Sequence, residues 1–327
     1  PPRSTLFPYT TLFRSDKDKE SSVSLTQSNI TNLAEAIKIY HPVMFVSYID
    51  WVKSVRINEG KPLRIVRENL ELMRDVLLKK FPNDFQIILS EYIDAGLSQL
   101  AEDFKIDSSF IENSSVTEIA KEYLNIIING NRHLASQIIL NAVENGVSIK
   151  DIYLKIFQPV QYEVGRLWQL KKISVAQEHY ATAVTQFVIS QLYPYIFNAQ
   201  KSDKTMVATC VSGELHEIGV RMVADFFELS GWDTRYLGAN TPTESIIDTL
   251  EKTVPDVLAI SSTMTFHLPK VKEIINAVRK SKVKKTKILV GGYIFNVSKD
   301  LWKTVGADGF GSDAENAVLI ANKLLAS

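Results

Sequence analysis

From Thr205 to Leu325 the chain alternates short continuous apolar runs with longer stretches whose apolar residues recur every three or four positions. Runs of the first kind read as buried strands and stretches of the second as amphipathic helices. The pattern predicts strands at 205–211, 233–237, 257–261, 286–290 and 308–310. Helices are predicted at 217–230, 242–253, 268–281, 296–304 and 313–325. Such alternation gives a parallel sheet with helices on both faces. The expected strand order is 2-1-3-4-5, which places a ligand crevice at the carboxyl ends of strands 1 and 3.

Upstream the period is helical only. Leu70, Met73, Val76, Leu77 and Phe81 recur at helical steps within 32–105, and Gly60-Lys61-Pro62 and Phe81-Pro82-Asn83-Asp84 interrupt the pattern. Phe45, Tyr48 and Trp51 share a segment there and read as core rather than as a chromophore pocket. We assign 32–112 to an N-terminal helical domain with no DNA-reading motif, and 107–115, rich in Ser, Asp and Asn, to a linker. Four more helices are expected at 116–128, 131–145, 148–167 and 174–197, enough for an antiparallel bundle over 116–200. Asn129-Gly130 and Asn145-Gly146 are their stop signals, and Ser148, with Asp151 three residues on, is a candidate N-cap. Lys201 to Lys204 leads into the sheet domain, 205–327. The whole is α plus α/β, ending in a flavodoxin-like doubly wound sheet. At the other end, Thr5 to Ser15 looks like a translated sequencing adapter, so 1–15 is set aside. The polar, Ser-rich 16–31 reads as a disordered lead-in.

Composition narrows the function without choosing it. Lys+Arg and Asp+Glu are both 37, so the formal charge is zero, which argues against a direct nucleic-acid module. Hydrophobic residues make up 45 %, yet no run reaches a membrane span and no signal peptide is evident. A single cysteine, Cys210, excludes an intrachain disulfide and suits a reducing, cytoplasmic setting; it reads as a buried core thiol.

The candidate chemistry lies on the loop after the first strand, Cys210-Val211-Ser212-Gly213-Glu214-Leu215-His216-Glu217-Ile218-Gly219. A histidine there projects from the sheet's carboxyl edge, and a carboxylate two residues before it can orient its ring for a metal. Ser261-Ser262-Thr263-Met264-Thr265 follows the third strand and Val290-Gly291-Gly292-Tyr293 the fourth. Together these resemble the cobalamin-binding domain, whose pattern is Asp-x-His-x-x-Gly, then Ser-x-Leu or Ser-x-Thr, then Gly-Gly. Glu214 stands where most members carry Asp. The resemblance implies cobalamin as cofactor, with His216 as the lower ligand to cobalt and Glu214, Leu215 and Gly219 beside it. Ser261, Thr263, Thr265, Gly291 and Gly292 would line the path of the nucleotide tail, with Gly311 and Ser312 bordering its base. For Gly292 a turn alone, for Ser261 and Thr265 capping of the next helix, and for Gly311-Ser312-Asp313 an ordinary N-cap remain open.

Within the bundle, Gly165-Arg166-Leu167-Trp168 and Ile173-Ser174-Val175-Ala176-Gln177-Glu178-His179 resemble the helical cap of cobalamin proteins. The spacing of Trp168, Glu178 and His179 is similar to that of adenosylcobalamin light-sensing regulators, in which these residues enclose the upper adenosyl ligand. A bundle-core Trp with a rim Glu and His is the plainer reading. Gln169 replaces the histidine that follows the Trp in those repressors, and their helix-turn-helix domain is missing. The layout looks like cobalamin photoreceptors without a DNA-binding domain, some of which also hold a bilin; no residue here marks a bilin site. The expected function is therefore a cobalamin light sensor acting through a homo-oligomer or a downstream signalling partner, with adenosylcobalamin favoured over methylcobalamin. The alternative is a corrinoid carrier of a methyltransferase system, although such carriers usually read Gly-Lys-Asn where this chain has Gly219-Val220-Arg221. A radical mutase would need a barrel for which the chain has no room.

Overall fold

The computed structural model describes residues 18–103, 109–197 and 200–326. The adapter-like start lies outside these residues, as does part of the 107–115 linker.

Four helices make the N-terminal unit: α1 (Asp18–Lys38), α2 (Pro42–Asn58), α3 (Arg64–Lys80) and α4 (Asn83–Ala101). Pro42 opens α2 in the first turn, where its missing N–H leaves no bond unmade. Phe45, Ile49, Val52, Val66, Leu70 and Ile93 are fully buried between the helices. Gly96 brings α4 against α2, since a Cβ there would stand 2.8 Å from the Phe45 ring. The structure differs from the expected lead-in: 18–31 is helical. Leu25 and Leu33 are buried, and the polar face finds partners that composition does not reveal. The Tyr48 hydroxyl donates to Asn29 Oδ1 at 2.8 Å, and Asn29 Nδ2 donates to Asn69 Oδ1 at 2.7 Å. Tyr48 is thus a core residue, as its spacing predicts.

The bundle comprises α5 (Thr117–Ile128), α6 (Arg132–Glu144), α7 (Ile149–Asp151), a π-helical segment Ile152–Phe157, α8 (Gln158–Gln169), α9 (Val175–Gln191) and the short α10 (Tyr193–Ile196). Its predicted punctuation is present. Gly130 and Gly146 take φ of +83° and +87° just past α5 and α6, and Ser148 Oγ accepts the Asp151 N–H at 3.1 Å. The third helix contains the π turn just before Pro159, which brings no N–H to the ladder. That segment carries Tyr153, whose hydroxyl donates to Asp225 Oδ2 at 2.7 Å across the junction with the sheet domain. Burial pushes the Asp225 carboxyl up to about 6, against the pull of the Tyr153 hydroxyl and Arg221.

In the sheet domain β1 (Thr205–Cys210), β2 (Asp233–Gly238), β3 (Val257–Ser261), β4 (Lys287–Gly291) and β5 (Gly309–Phe310) run parallel in the order β2-β1-β3-β4-β5. The helices are α11 (Ile218–Leu229), α12 (Thr243–Thr253), α13 (Leu268–Lys280), α14 (Tyr293–Val297), α15 (Leu301–Val305) and α16 (Ala314–Ala326), with a 3-10 turn, Thr265–His267, before α13. The helix predicted at 296–304 is two helices instead. Ser298 between them is extended, and its hydroxyl bonds His41 Nδ1 of the N-terminal unit at 3.1 Å.

Side-chain alternation sends each strand to two cores. Met206, Ala208, Cys210, Val257, Ala259 and Leu289 join α11, α16 and the bundle. Val207, Leu258, Ile260, Ile288 and Val290 join α12, α13 and the N-terminal unit. Cys210 is fully buried, as expected. His41 Nε2 also bonds Thr304 Oγ1 at 3.1 Å, and Lys171 Nζ pairs with Glu59 Oε1 at 3.2 Å, so the N-terminal unit touches both sheet domain and bundle.

Candidate functional site

Strand register sets the site. Cys210 pairs with Ser261 and Ser261 with Gly291, so the motif-bearing loops leave the sheet from one level. After β1 the chain turns at Gly213, with φ +86°, whose N–H donates to Asn240 Oδ1 at 2.7 Å. Asn240 N–H in turn donates to the Glu214 carbonyl at 2.9 Å, tying this loop to the one after β2.

Glu214 is completely buried. Its Oε1 accepts from the N–H groups of Leu215 at 3.0 Å and His216 at 3.1 Å, and is paired with His216 Nδ1. Its Oε2 accepts from the Thr263 N–H at 2.7 Å and lies 3.0 Å from His267 Nδ1. Burial works to raise this carboxyl's pKa, but the donors of His216, His267 and Thr263 prevail and hold it far below the usual carboxylate range. The longer glutamate side chain thus reaches the His216 ring from the position that carries Asp in the motif. With Nδ1 committed to the carboxylate, Nε2 is the nitrogen of His216 suited to ligate a metal. Glu217, next in sequence, accepts from Tyr236 OH at 2.8 Å, the Ala239 N–H at 3.1 Å and Gln186 Nε2 of α9 at 2.8 Å, so it pins the loop to the bundle.

The bundle brings Glu178 into electrostatic range of His216. Glu178 is buried, accepts from Thr182 Oγ1 at 3.1 Å, and has a pKa raised to about 7, chiefly by burial, with Thr182 and His216 opposing. His179 Nε2 lies 3.5 Å from Glu178 Oε2. Trp168 is half-buried against the bundle core, and Leu215 is an exposed apolar side chain on the loop itself.

The other expected residues divide. Thr263 reaches the site through its main-chain N–H. Gly292, with φ +98°, lies against β3's end: a Cβ would stand 2.3 Å from the Ser262 carbonyl oxygen. A Cβ on Gly291 would stand 3.1 Å from the Gly311 carbonyl. Gly311 itself packs on Ala317, 2.8 Å from where its Cβ would be. A Cβ on Gly219 would meet nothing within 4 Å, so packing does not require glycine there. Thr265 Oγ1 turns to Met44 Sδ of α2, at 3.9 Å. No side chain caps α13, so the capping alternative for Ser261 and Thr265 is not realised. Asp313 Oδ1 accepts the Asn316 N–H at 2.8 Å and Ser312 Oγ donates to Asp313 Oδ2 at 3.0 Å, which is the ordinary N-cap.

Reading by sequence missed His267, Ser262, Asn240 and Glu217. His267 carried a signal, since it stands immediately before a predicted helix at the carboxyl edge of the sheet. Ser262 carried none: it is fully buried, and its hydroxyl has no hydrogen-bond partner among the described residues. An imidazole set by a buried carboxylate, an unsatisfied hydroxyl and small residues at level strand ends suit a corrinoid whose nucleotide tail enters the sheet.

Comparison with known proteins agrees. Residues 204–319 match the B12 binding domain, and residues 119–193 match a second B12 binding domain model. These matches make the chain a cobalamin-binding protein. A corrinoid protein of Desulfitobacterium hafniense is 23 % identical over 216 residues, covering 64 % of this chain and 99 % of the relative. A dimethylamine corrinoid protein of Methanosarcina barkeri is 27 % identical over 169 residues, covering 51 % of this chain and 76 % of the relative. The solved monomethylamine corrinoid protein of the same organism superimposes with a TM-score of 0.58 at 22 % identity, covering 64 % of this chain and all of that one, and shares the fold. The finer resemblance to photoreceptors finds no support among these relatives. The N-terminal unit lies outside both matched segments. No helix among the described residues is long and apolar enough to cross a membrane.

Proposed function

We propose that the protein is a corrinoid carrier that accepts a methyl group from one methyltransferase and presents it to another. This reverses the order expected from the cap motif, where the light sensor stood first. The observation that carries the proposal is the Glu214–His216 pair at level strand ends beneath the bundle, in a chain whose named relatives are methylamine and other corrinoid proteins. The bound corrinoid supplies a cobalt centre able to take and release a methyl group. The chain's own groups set its surroundings. His216 would ligate through Nε2, and Glu214 fixes its tautomer and orientation. Ser262 Oγ and the strand-end glycines would receive the tail. Glu178, held near neutrality by burial, can donate or accept a hydrogen bond on the bundle side. One feature favours the light-sensing alternative, namely that Glu178, which the cap resemblance places beside an upper ligand, is buried on the bundle within electrostatic range of His216.

The two readings part in one experiment. The protein is loaded with cobalamin, reduced anaerobically and offered a methylamine with a methylamine:corrinoid methyltransferase. A parallel sample loaded with adenosylcobalamin is illuminated and its solution mass followed. Methyl loading seen in the visible spectrum, with a mass unchanged by light, is the expected result. No methyl loading, together with adenosyl release and a change of mass on illumination, would replace the carrier by the sensor.

A further inference from the structure

We propose that the N-terminal unit is a latch on the bundle, riding on the sheet domain and holding the turn between α8 and α9 through Asn58 and Glu59. The inference rests on the corrinoid reading and concerns what governs entry to that same site. The His216 side chain is 14 % exposed, and Glu178 of the bundle stands within electrostatic range of it. A group as broad as a corrin ring therefore reaches Nε2 only when the bundle draws back from the sheet edge.

The unit's two attachments are unlike. On the sheet side the core is continuous: Met44, Phe45 and Ile49 of α2 share one apolar cluster with Leu268, Ile294 and Phe295. The His41 ring adds its bonds to Ser298 and Thr304. Toward the bundle the end of α2 offers polar groups. Asn58 Nδ2 donates to the Gln169 carbonyl at 3.4 Å, and Glu59 Oε1 pairs with Lys171 Nζ at 3.2 Å. The Lys171 side chain is 55 % exposed, and an ion pair so open to water is weak and easily parted. The unit thus stays with the sheet domain and can release the bundle.

Lys171 sits where the backbone resists a side chain. It is the second residue past α8 and has φ +56°, the left-handed position that glycine commonly fills at a helix end. Lysine there brings Glu59 a cation that glycine could not. Lys61 Nζ, 3.0 Å from Glu59 Oε2, holds the carboxylate from the other side. At the far end of α9 the bundle is fastened to α11. Arg221, one of the departures from the carriers' Gly-Lys-Asn, donates to the Gln186 carbonyl at 3.2 Å, Ser190 Oγ at 2.7 Å and Tyr193 OH at 3.1 Å. When the latch parts, the bundle pivots about that end.

The test uses the full chain and hydroxocobalamin, with uptake followed through the visible spectrum by stopped flow and the melting temperature as control. K171E sets two carboxylates together, K171G removes the cation where the backbone suits glycine, and E59K/K171E restores the pair in reverse. E59C/K171C is bridged by a short bis-maleimide, the native thiol of Cys210 being buried. K171E and K171G are expected to take up cobalamin faster, by up to about 5-fold, the most that an exposed pair is worth. K171G is expected to do so at a melting temperature no lower than wild type. E59K/K171E is expected to return toward the wild-type rate, and the bridged protein to take up none in the time that fills the unbridged one. Wild-type rates in K171E and K171G, a reversed pair no slower than K171E, or a bridged protein that fills as fast as the unbridged one would each overturn the proposal. A wild type that binds no cobalamin would instead remove the corrinoid reading, and this inference with it.

Discussion

Glu214→Ala is expected to lower the free energy of unfolding by about 3 kcal/mol or more, because buried donors left unpaired cost about 1–3 kcal/mol each. The donors concerned are the N–H groups of Leu215, His216 and Thr263 and the rings of His216 and His267. Glu214 is fully enclosed, so water cannot readily take the carboxylate's place. Urea unfolding followed by circular dichroism measures the loss, provided the slope matches wild type. A change below about 1 kcal/mol would mean that the loop does not depend on this carboxylate as described. Cobalamin bound to the variant is expected to lose its histidine ligand as well, since the ring of His216 keeps neither its tautomer nor its direction.

Gly292→Ala is expected to cost a similar amount for a different reason. The new Cβ would meet the Ser262 carbonyl oxygen at 2.3 Å and its carbon at 2.9 Å, both backbone atoms that a rotamer change cannot move aside. The backbone there has φ +98° and ψ 176°, a region that only glycine enters freely, and strain of that kind costs about 1–3 kcal/mol before the clash is counted. Gly60→Ala is the control. Its φ is +63° with nothing within 4 Å of a Cβ, so the conformational cost alone, about 1 kcal/mol, is expected. Equal losses in the two variants, by thermal or urea unfolding, would contradict the close β3–β4 approach at the site.

Periodicity made the sheet legible because its inner strands β1, β3 and β4, buried on both faces, are near-continuous apolar runs divided by amphipathic stretches, an order that admits few topologies, while the edge strands β2 and β5 carry a weaker signal. The helix stops at Gly130 and Gly146 and the cap at Ser148 were legible because each is a local signal. What failed to show in the sequence depends on distant partners. The helicity of 18–31 rests on Asn29 meeting Tyr48 and Asn69, and the break at Ser298 rests on His41, some 257 positions away in sequence. In the site, Glu214 and His216 are two residues apart and were read together. His267, at a sequence distance of 53 from Glu214, was not. Thr265, Gly311 and Ser312 were carried over by resemblance, yet Thr265 turns to Met44 of the N-terminal unit while Gly311 and Ser312 serve close packing and a helix cap, because a motif records residue types and not where each side chain turns.

The measurement that bears most directly on the central assignment is the electron paramagnetic resonance spectrum of cob(II)alamin bound to protein whose histidines carry nitrogen-15. A lower ligand from the protein turns the nitrogen-14 triplet splitting into a doublet, and His216→Ala abolishes that splitting. These are the results the account predicts. A triplet that survives labelling would show that the cofactor's own base still holds the lower face, and would contradict ligation by His216.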